Sequence, residues 1–315
     1  MMQCMKTTGL TFRRDESTRA GVLRITDGLI RAALHRARHH SSDPEDVVHF
    51  LRTTTKRLRA LLQLIRPVIA KTAFEREDAR LKRIAIRLAP FRDRTVVLET
   101  LRAFVPRLVN PCKSSAANST GTPHADGRRE RAMRAAARDL EQSRRGFHRL
   151  RIGCEGWEAI GPGLANVYTQ ARKRMKAASA DPSDRAFHRW RIRVKQLYYQ
   201  LQWLEPVWPK QFARMLKRLH KLGENLGADH DLAVLREVFG EIRGGFDGAD
   251  AIGHVKKYAA KKSRRLRRAS ELLGAKALGK TLRRFRRSCQ RRWRVWKCKG
   301  DAGGENRIKI RAGAG

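Results

Sequence analysis

The sequence predicts an all-α protein made of two four-helix-type bundles of long antiparallel helices, related to each other by a pseudo-twofold axis. Long segments of the 315-residue chain carry apolar residues at helical spacing. In addition, the segment 49–59 returns as the segment 188–198, at a constant offset of 139 residues. So long an offset indicates two copies of a bundle rather than the short stacked units of a solenoid.

Each copy of the repeated segment predicts a helix with two neighbouring stripes. The apolar stripe is the core-facing seam, formed by Leu51, Thr55, Leu58, Leu62 and Ile65 and, in the second copy, by Trp190, Val194, Leu197, Leu201 and Leu204. The other stripe lies about a quarter-turn away. It contains His49, Arg52, Lys56, Arg59 and Gln63 and, in the second copy, His188, Arg191, Lys195 and Tyr198, with Arg57 and Arg193 beside them. Cations placed twice beside a core seam favour a walled groove for an anion.

Two other interpretations of these stripes stay open at this point. A charged stripe is often only the solvated face of a surface helix. The two histidines, His49 and His188, could instead be packing residues that are hydrogen-bonded to the opposite half. The repetition of the pattern favours contact with an anion over both.

The composition also predicts a polyanionic partner. The chain has 71 Lys and Arg against 30 Asp and Glu, a net charge of +41 and a pI near 11.5. Arginine dominates the basic set, which favours bidentate contact with phosphate oxygens.

Five scattered cysteines without a C-x-x-C pair suggest neither a disulfide framework nor a zinc site, so a reducing cytoplasm fits best. No stretch suits a membrane span or signal peptide, and nuclear or nucleolar basic signals stay open for a eukaryotic source.

The first predicted bundle covers residues 16–160, after a polar leader at 1–15. Its first helix covers 16–40, with Val22, Ile25, Leu29 and Ala33 at helical spacing. Asp43 followed by Pro44 predicts the start of the motif helix, which ends near Pro67. A third helix covers 72–88, a flexible loop covers 110–127, and a further helix covers 128–157.

The third helix carries a second row of cations. Arg76, Arg80, Arg83 and Arg87 correspond to Arg214, Arg218, Lys221 and Asn225 of the second copy. These cations are candidates for the same anion, but Glu75, Glu77 and Asp78 also offer them ordinary surface ion pairs. Asp93 and Asp231 lie where helices are predicted to begin, and they would cap those helices or hold a motif arginine in place.

The second predicted bundle covers residues 161–299 and is followed by a disordered tail at 300–315. Gly161-Pro162-Gly163 predicts the boundary between the halves, and a helix follows to about Ala178. Asp181-Pro182 repeats the start signal of the first motif helix. Beyond a loop at 240–253, two basic helices are predicted at 249–273 and 275–297. Trp293 and Trp296 in the last helix could stack on bases, although packing in the core is the commoner case.

Together, these segments resemble the CHAD domain, the conserved-histidine α-helical domain. The likeness lies in the H-x-x-R-x-x-x-K-R-L-R pattern from His49, its echo from His188, the segments around Asp93 and Asp231, and residues 143–157. The resemblance covers about residues 16–296. It implies two pseudo-twofold helical bundles whose basic central surface binds inorganic polyphosphate, often at polyphosphate granules. One departure is that Gln196 and Tyr198 stand where the family pattern has cations.

The resulting hypothesis is a polyphosphate-binding protein without catalytic residues, metal or cofactor, and with a monomer as the expected state. General binding of RNA or DNA, through the basic C-terminal helices, is the first alternative, although no RNA-binding sequence signature is present. An HD-type metal phosphohydrolase is the second. It would need ligands such as His188 or His220, His230-Asp231, and Asp247 or Asp250. However, Arg92 stands opposite His230 in the first copy, and arginine cannot bind a metal.

Overall fold

The computed structural model describes residues 10–38, 44–91, 123–241 and 249–311. These residues form α-helices and two short 3-10 turns, and no strand occurs among them, so the predicted all-α fold is confirmed. The helices are α1 (Thr18–Arg38), α2 (Pro44–Ile65), α3 (Lys71–Arg87), α4 (Pro123–His148), α5 (Gly156–Ala180), α6 (Asp184–Trp203), α7 (Pro209–Glu241), α8 (Ala249–Leu278) and α9 (Leu282–Arg311).

The helices contact one another in two sets of four. In the first set, α1 and α3 each contact both α2 and α4. In the second set, α5 contacts α6 and α8, and α7 contacts α6 and α8. The sets meet where α2 contacts α5 and α6, while α9 lies against α5. The pseudo-twofold relation between the two sets stays a prediction.

The two motif helices, α2 and α6, are held at this meeting point by the predicted apolar seams. Every seam residue is buried in both copies. The Ser183 side chain caps α6 by accepting a hydrogen bond from the backbone N–H of Ala186, so Asp181 is not the cap that the sequence suggested. At the start of α2, Glu45 and Asp46 complement the helix dipole. Asp43, the predicted cap, lies outside the described residues.

The predicted boundary at Gly161-Pro162-Gly163 is wrong, because these residues lie inside α5. A Cβ at Gly163 would overlap the carbonyl oxygen of Leu64 in α2, and one at Gly161 would overlap the Trp157 ring. These glycines therefore allow close packing rather than a turn. The chain turns instead over residues 149–155, before Gly156, whose positive φ of 61° suits glycine. The boundary at 160 falls within a helix.

Asp231 does not begin a helix. It lies in the interior of α7, which continues from Pro209 to Glu241, so the predicted N-cap role is wrong. Asp93 lies outside the described residues, as does the predicted loop 110–127 up to residue 122. The last part of that loop is helical, because α4 begins at Pro123.

The C-terminal helices also differ from the prediction. Gly274 does not end α8, which continues to Leu278. A Cβ at Gly274 would lie 2.6 Å from the Trp190 ring and 2.8 Å from Met175 Sδ, so this glycine too marks close packing. Helix α9 continues to Arg311, where a disordered tail from residue 300 was predicted.

In the leader, Phe12 is buried and its backbone N–H donates to the Trp203 carbonyl oxygen.

Candidate functional site

The two basic stripes lie on helices that are in direct contact. The Gln200 side chain of α6 donates a hydrogen bond of 3.0 Å to the carbonyl oxygen of Ala60 in α2. The Arg57 guanidinium lies 5.4 Å from the centre of the buried Tyr199 ring. We refer to the two basic rows as the twin ladders, one formed by His49, Arg52 and Lys56 on α2 and the other by His188, Arg191 and Lys195 on α6.

His188 shows that the twin ladders share one electrostatic environment. Burial lowers the pKa of its imidazole below the ordinary 6.5, and the charges of Arg191 and Lys56 lower it further. Lys56 belongs to the other ladder, so charges of both rows act on His188. The buried Nδ1 of His188 has no hydrogen-bond partner among the described residues, and its ring centre lies 4.3 Å from that of His230 in α7.

Two glycines of α7 accommodate the second ladder. A Cβ at Gly223 would lie 3.1 Å from Lys195 Cε and 3.3 Å from its Nζ. At Gly227, a Cβ would lie 3.7 Å from the Arg191 guanidinium. Both cations therefore extend across the backbone of α7. The sequence reasoning missed these glycines, although His220, Gly223, Gly227 and His230 share one helix face at spacings of three and four residues.

The first ladder contacts α3 in a comparable way. Arg52 donates a hydrogen bond of 3.4 Å to the carbonyl oxygen of Ala85. His49 Nε2 lies 3.5 Å from the Thr53 hydroxyl on its own helix. At the end of this ladder, the Arg59 guanidinium pairs with Asp78 of α3 at 2.8 Å.

Asp78 is an acidic group beside the cations of the first ladder. Burial would raise the pKa of its carboxyl, but hydrogen bonds from Arg59 and Lys82 outweigh burial and lower it. The Lys82 ammonium lies 2.8 Å from the second carboxylate oxygen. Asp78 therefore stays ionised and neutralises part of the positive charge at this end of the ladder.

Arg193 lies away from the second ladder and closer to the end of the first. Burial lowers the pKa of its guanidinium, and the charges of Arg174, Arg59 and Arg66 add to this effect, partly offset by Asp78. Its guanidinium donates a hydrogen bond of 2.9 Å to the Gln196 side chain. Arg193 thus belongs to a group of arginines beside Asp78 rather than to the row of His188.

The arginines predicted on the third helix do not face the twin ladders. Arg76, Arg80, Arg83 and Arg87 lie about 140° to 180° around α3 from Asp78, which marks the side towards α2. Arg80 pairs with the buried Glu77 at 2.6 Å and donates to the Gln142 carbonyl oxygen of α4. Arg87 pairs with Asp139 of α4, and Arg76 with Glu77. Three of the four thus make ion pairs, but Glu77 is buried and Arg87 pairs with α4, so these are not the ordinary surface pairs that the sequence left open.

The corresponding cations of α7 show the same geometry. Arg214, Arg218 and Lys221 lie about 140° to 180° around α7 from Gly223, which marks the side towards Lys195. Arg218 donates to the Lys276 carbonyl oxygen of α8, and Lys221 lies 3.7 Å from Glu224. Both outer rows, on α3 and on α7, therefore lie on the far side of their helices from the twin ladders.

No group of three or more His, Cys, Asp or Glu side chains within the described ranges could hold a metal ion. His188 and His230 are close together, but Asp247 lies outside the described residues and the side chain of Asp250 is not described. The ligand set of the HD-type alternative therefore does not come together in the part of the chain that is described.

Comparisons with known proteins identify the family. The family model of the CHAD domain matches residues 25–240, more than two thirds of the chain. The chain belongs to the CHAD domain family. The family resemblance inferred from the repeated motif is thus confirmed.

Solved structures are similar to this CHAD protein in fold. The crystal structure of the CHAD domain from the plant Ricinus communis matches with a TM-score of 0.60 at 19% identity, covering 86% of this chain and 94% of that one. PptA from Streptomyces chartreusis matches with a TM-score of 0.55 at 16% identity, covering 81% and 97%. No curated protein matches the chain. No helix in the described part has the length and apolar character of a membrane span.

Proposed function

We propose that this CHAD protein binds inorganic polyphosphate along the twin ladders, without turnover, and that it does so at polyphosphate granules in the cytoplasm. The observation that carries the proposal is the direct contact between the two ladder helices, where the Gln200 side chain of α6 donates a hydrogen bond to the Ala60 carbonyl oxygen of α2. The lowered pKa of His188 agrees with it, because the charges of Arg191 on its own helix and of Lys56 on α2 both contribute. A polyanion at this position would contact both halves of the molecule.

The side chains of the twin ladders suit a chain of phosphates. Arg52 and Arg191 would each donate two hydrogen bonds to phosphate oxygens, and Lys56 and Lys195 would act as compact charges. His188, which is half-buried, would donate a ring N–H to a phosphate oxygen. Because Lys195 and Arg191 lie against the backbone of α7, they lose little side-chain freedom on binding.

The outer rows have a smaller part in this proposal. Arg80, Arg87 and Arg218 already contact carboxylates or carbonyl oxygens, so an anion would have to replace those contacts. They also lie on the far sides of α3 and α7. We therefore restrict the principal contacts to the twin ladders and their neighbour Arg57, and Arg59 would take part only by exchanging Asp78 for the ligand.

The aromatic side chains near the twin ladders favour polyphosphate over single-stranded nucleic acid at this site. Bases would need exposed aromatic faces on which to stack. Tyr199 is buried beneath Arg57. Tyr198 is half-buried, with Lys195 at 6.0 Å and the His220 ring at 5.8 Å from its centre. A polyphosphate has no bases and needs only spaced cations.

A salt-dependent competition tests the proposal. Labelled long-chain polyphosphate is titrated with the protein, then displaced with RNA of matched charge, in the unchanged protein and in R52E/R191E. We expect RNA to displace polyphosphate poorly, and the double variant to weaken polyphosphate binding by at least about a hundredfold, since two charge-assisted contacts become repulsive.

The matched control is R83E/R214E, which changes the net charge equally on the outer rows. Both side chains are exposed. An equal loss in this control would show that only net charge matters and would contradict the proposal. Release of orthophosphate from polyphosphate with added magnesium or manganese would contradict binding without turnover.

A further inference from the structure

Helix α9 begins beyond the segment that matches the CHAD family and is firmly attached to the second helix set. Its inner face consists of Phe285, Cys289, Trp293 and Trp296, all buried. Phe285 stacks on Tyr168 of α5 with ring centres 4.0 Å apart, and Trp293 lies 6.2 Å from Trp157. Burial of these aromatic side chains stabilises the contact between α9 and α5.

The C-terminal end of this buried face is also attached, to the segment that precedes α1. The Lys297 ammonium donates hydrogen bonds to the carbonyl oxygens of Arg14, at 2.7 Å, and Glu16, at 3.0 Å. The Arg14 guanidinium lies 5.9 Å from the centre of the Trp296 ring. The orientation of α9 over residues 282–298 is therefore set by the core and not by a ligand.

The outer face of α9 is strongly basic. Residues 282–298 contain eight Lys and Arg and no Asp or Glu. Arg292 lies over the Trp208 ring and Lys297 is bound as above. The remaining six side chains are exposed, and none has an ion pair or side-chain hydrogen bond within the described ranges: Arg283, Arg284, Arg286, Arg287, Arg291 and Arg294.

These six arginines are spread over a wide arc. Arg283, Arg287 and Arg294 lie within about 20° of the direction opposite Phe285 and form the crest. Arg284 and Arg291 lie on one flank, and Arg286 lies on the other. The face is about 25 Å long at 1.5 Å per residue. A ligand on this face thus meets cations at its crest and on both sides.

We propose that this outer face of α9 binds the phosphate backbone of duplex DNA without reading its sequence. A helix with cations on its crest and both flanks can lie in the major groove, where phosphates of both strands border it. A thin single chain such as polyphosphate could follow only one row of this convex surface. Trp293 and Trp296 are buried, so the face offers no platform for unpaired bases. Gln290 is the one neutral side chain there with a clear capacity to read a base edge.

The test compares two triple variants with the same change in net charge. R283E/R287E/R294E reverses the crest of α9, and R131E/R138E/R145E reverses a row of exposed arginines on α4. Binding of a short fluorescent DNA duplex is measured by anisotropy at several salt concentrations. We expect the crest variant to weaken binding at least tenfold and to reduce the salt slope by about 2.7, at roughly 0.9 per phosphate contact. The α4 variant should stay within about threefold of the unchanged protein.

Three further outcomes decide whether the outer face of α9 binds the duplex. Equal losses in both triple variants would show a general charge effect and would overturn it. Retained duplex binding by the crest variant, with circular dichroism confirming its fold, would overturn it as well. So would a crest variant that loses binding to polyphosphate or to phosphatidylserine vesicles but not to the duplex. R52E/R191E separates the two proposals, because it should lose polyphosphate and keep the duplex.

Discussion

At the scale of single residues, the proposed anion contact depends on the surroundings of His188. Burial and two neighbouring cations keep the pKa of its imidazole below 6.5, so the ring is neutral at pH 7 before a ligand arrives. Phosphate oxygens would reverse these effects, because an adjacent negative charge favours the imidazolium. Binding of polyphosphate would therefore raise the pKa of His188 and take up a proton.

This reversal predicts tighter binding of polyphosphate at pH 6 than at pH 8. Affinity rises as the pH falls through the pKa of the complex and levels off below the pKa of the free protein. For His188 the gain reaches about tenfold for each unit by which the pKa rises. Titrations at several pH values check it, with His188→Gln as the comparison. In that variant we expect most of the pH dependence to disappear. An affinity that does not change with pH would contradict the role of His188.

Asp78 offers a second test at the same scale. Its ionised carboxylate binds Arg59 and Lys82 and repels a polyanion. We expect Asp78→Asn to tighten polyphosphate binding by about two- to fivefold, because the repulsion is removed and two cations are released. The free energy of unfolding should fall by about 1–2 kcal/mol, since charge-assisted hydrogen bonds are weakened.

Titration and urea unfolding of the same samples measure both effects. Weaker binding by Asp78→Asn would mean that the carboxylate orients Arg59 for the ligand instead of competing with it.

At the scale of helices, the twin ladders depend on close packing between neighbouring elements. Lys195 lies against Gly223, where even a Cβ would be 3.1 Å from its Cε. Arg191 lies against Gly227, one turn further along α7. A larger side chain at the first position would push the ammonium away from its place without changing any charge.

Gly223→Leu is therefore a charge-neutral test of the geometry. We expect it to weaken polyphosphate binding by roughly tenfold, about 1.4 kcal/mol, because Lys195 loses its position. The control is Gly253→Leu in α8, where an added Cβ meets no atom within 4 Å. Both variants replace a helical glycine, so any general effect of helix propensity is shared. Comparable affinity of the two variants would show that the position of Lys195 does not matter.

The helices were largely predictable because the core seams carry a strong local signal. All ten residues of the two seams are buried as predicted, including Leu204 just after the end of α6. The ends of helices were harder to predict, because glycine occurs both in turns and where a neighbouring helix or side chain packs closely. Gly163 and Gly274 looked like helix ends, yet each allows a neighbouring helix or side chain to approach closely. Such contacts depend on residues that are distant in sequence, Leu64 and Trp190, and no local pattern shows them.

The candidate site was predictable only in part for a related reason. Helical spacing showed that Arg80 and Arg87 share a face, as do Arg214 and Arg218. It could not show which neighbour that face contacts. The structure turns these rows towards α4 and α8, and their predicted part in phosphate binding stays untested.

At the scale of the whole molecule, the charge of +41 is divided among surfaces with different surroundings. Five of the six side chains of the twin ladders, all but the exposed His49, lie half-buried where the two helix sets meet, while the arginines of α9 stand on an exposed outer face. Such a charge destabilises a compact protein through self-repulsion and raises its association with polyanions. A ligand that bridges the two sets would reduce the repulsion where they are in contact.

The claim that both ladders bind one chain is tested most directly by the number of sites in a calorimetric titration with a short polyphosphate. The unchanged protein is compared with the single variants Arg52→Glu and Arg191→Glu. We expect one site in all three proteins, with a dissociation constant at least about tenfold higher in either variant, since each reversed charge acts on the same ligand. Two sites in the unchanged protein, of which each variant removes one and leaves the other with an unchanged dissociation constant, would contradict a shared site.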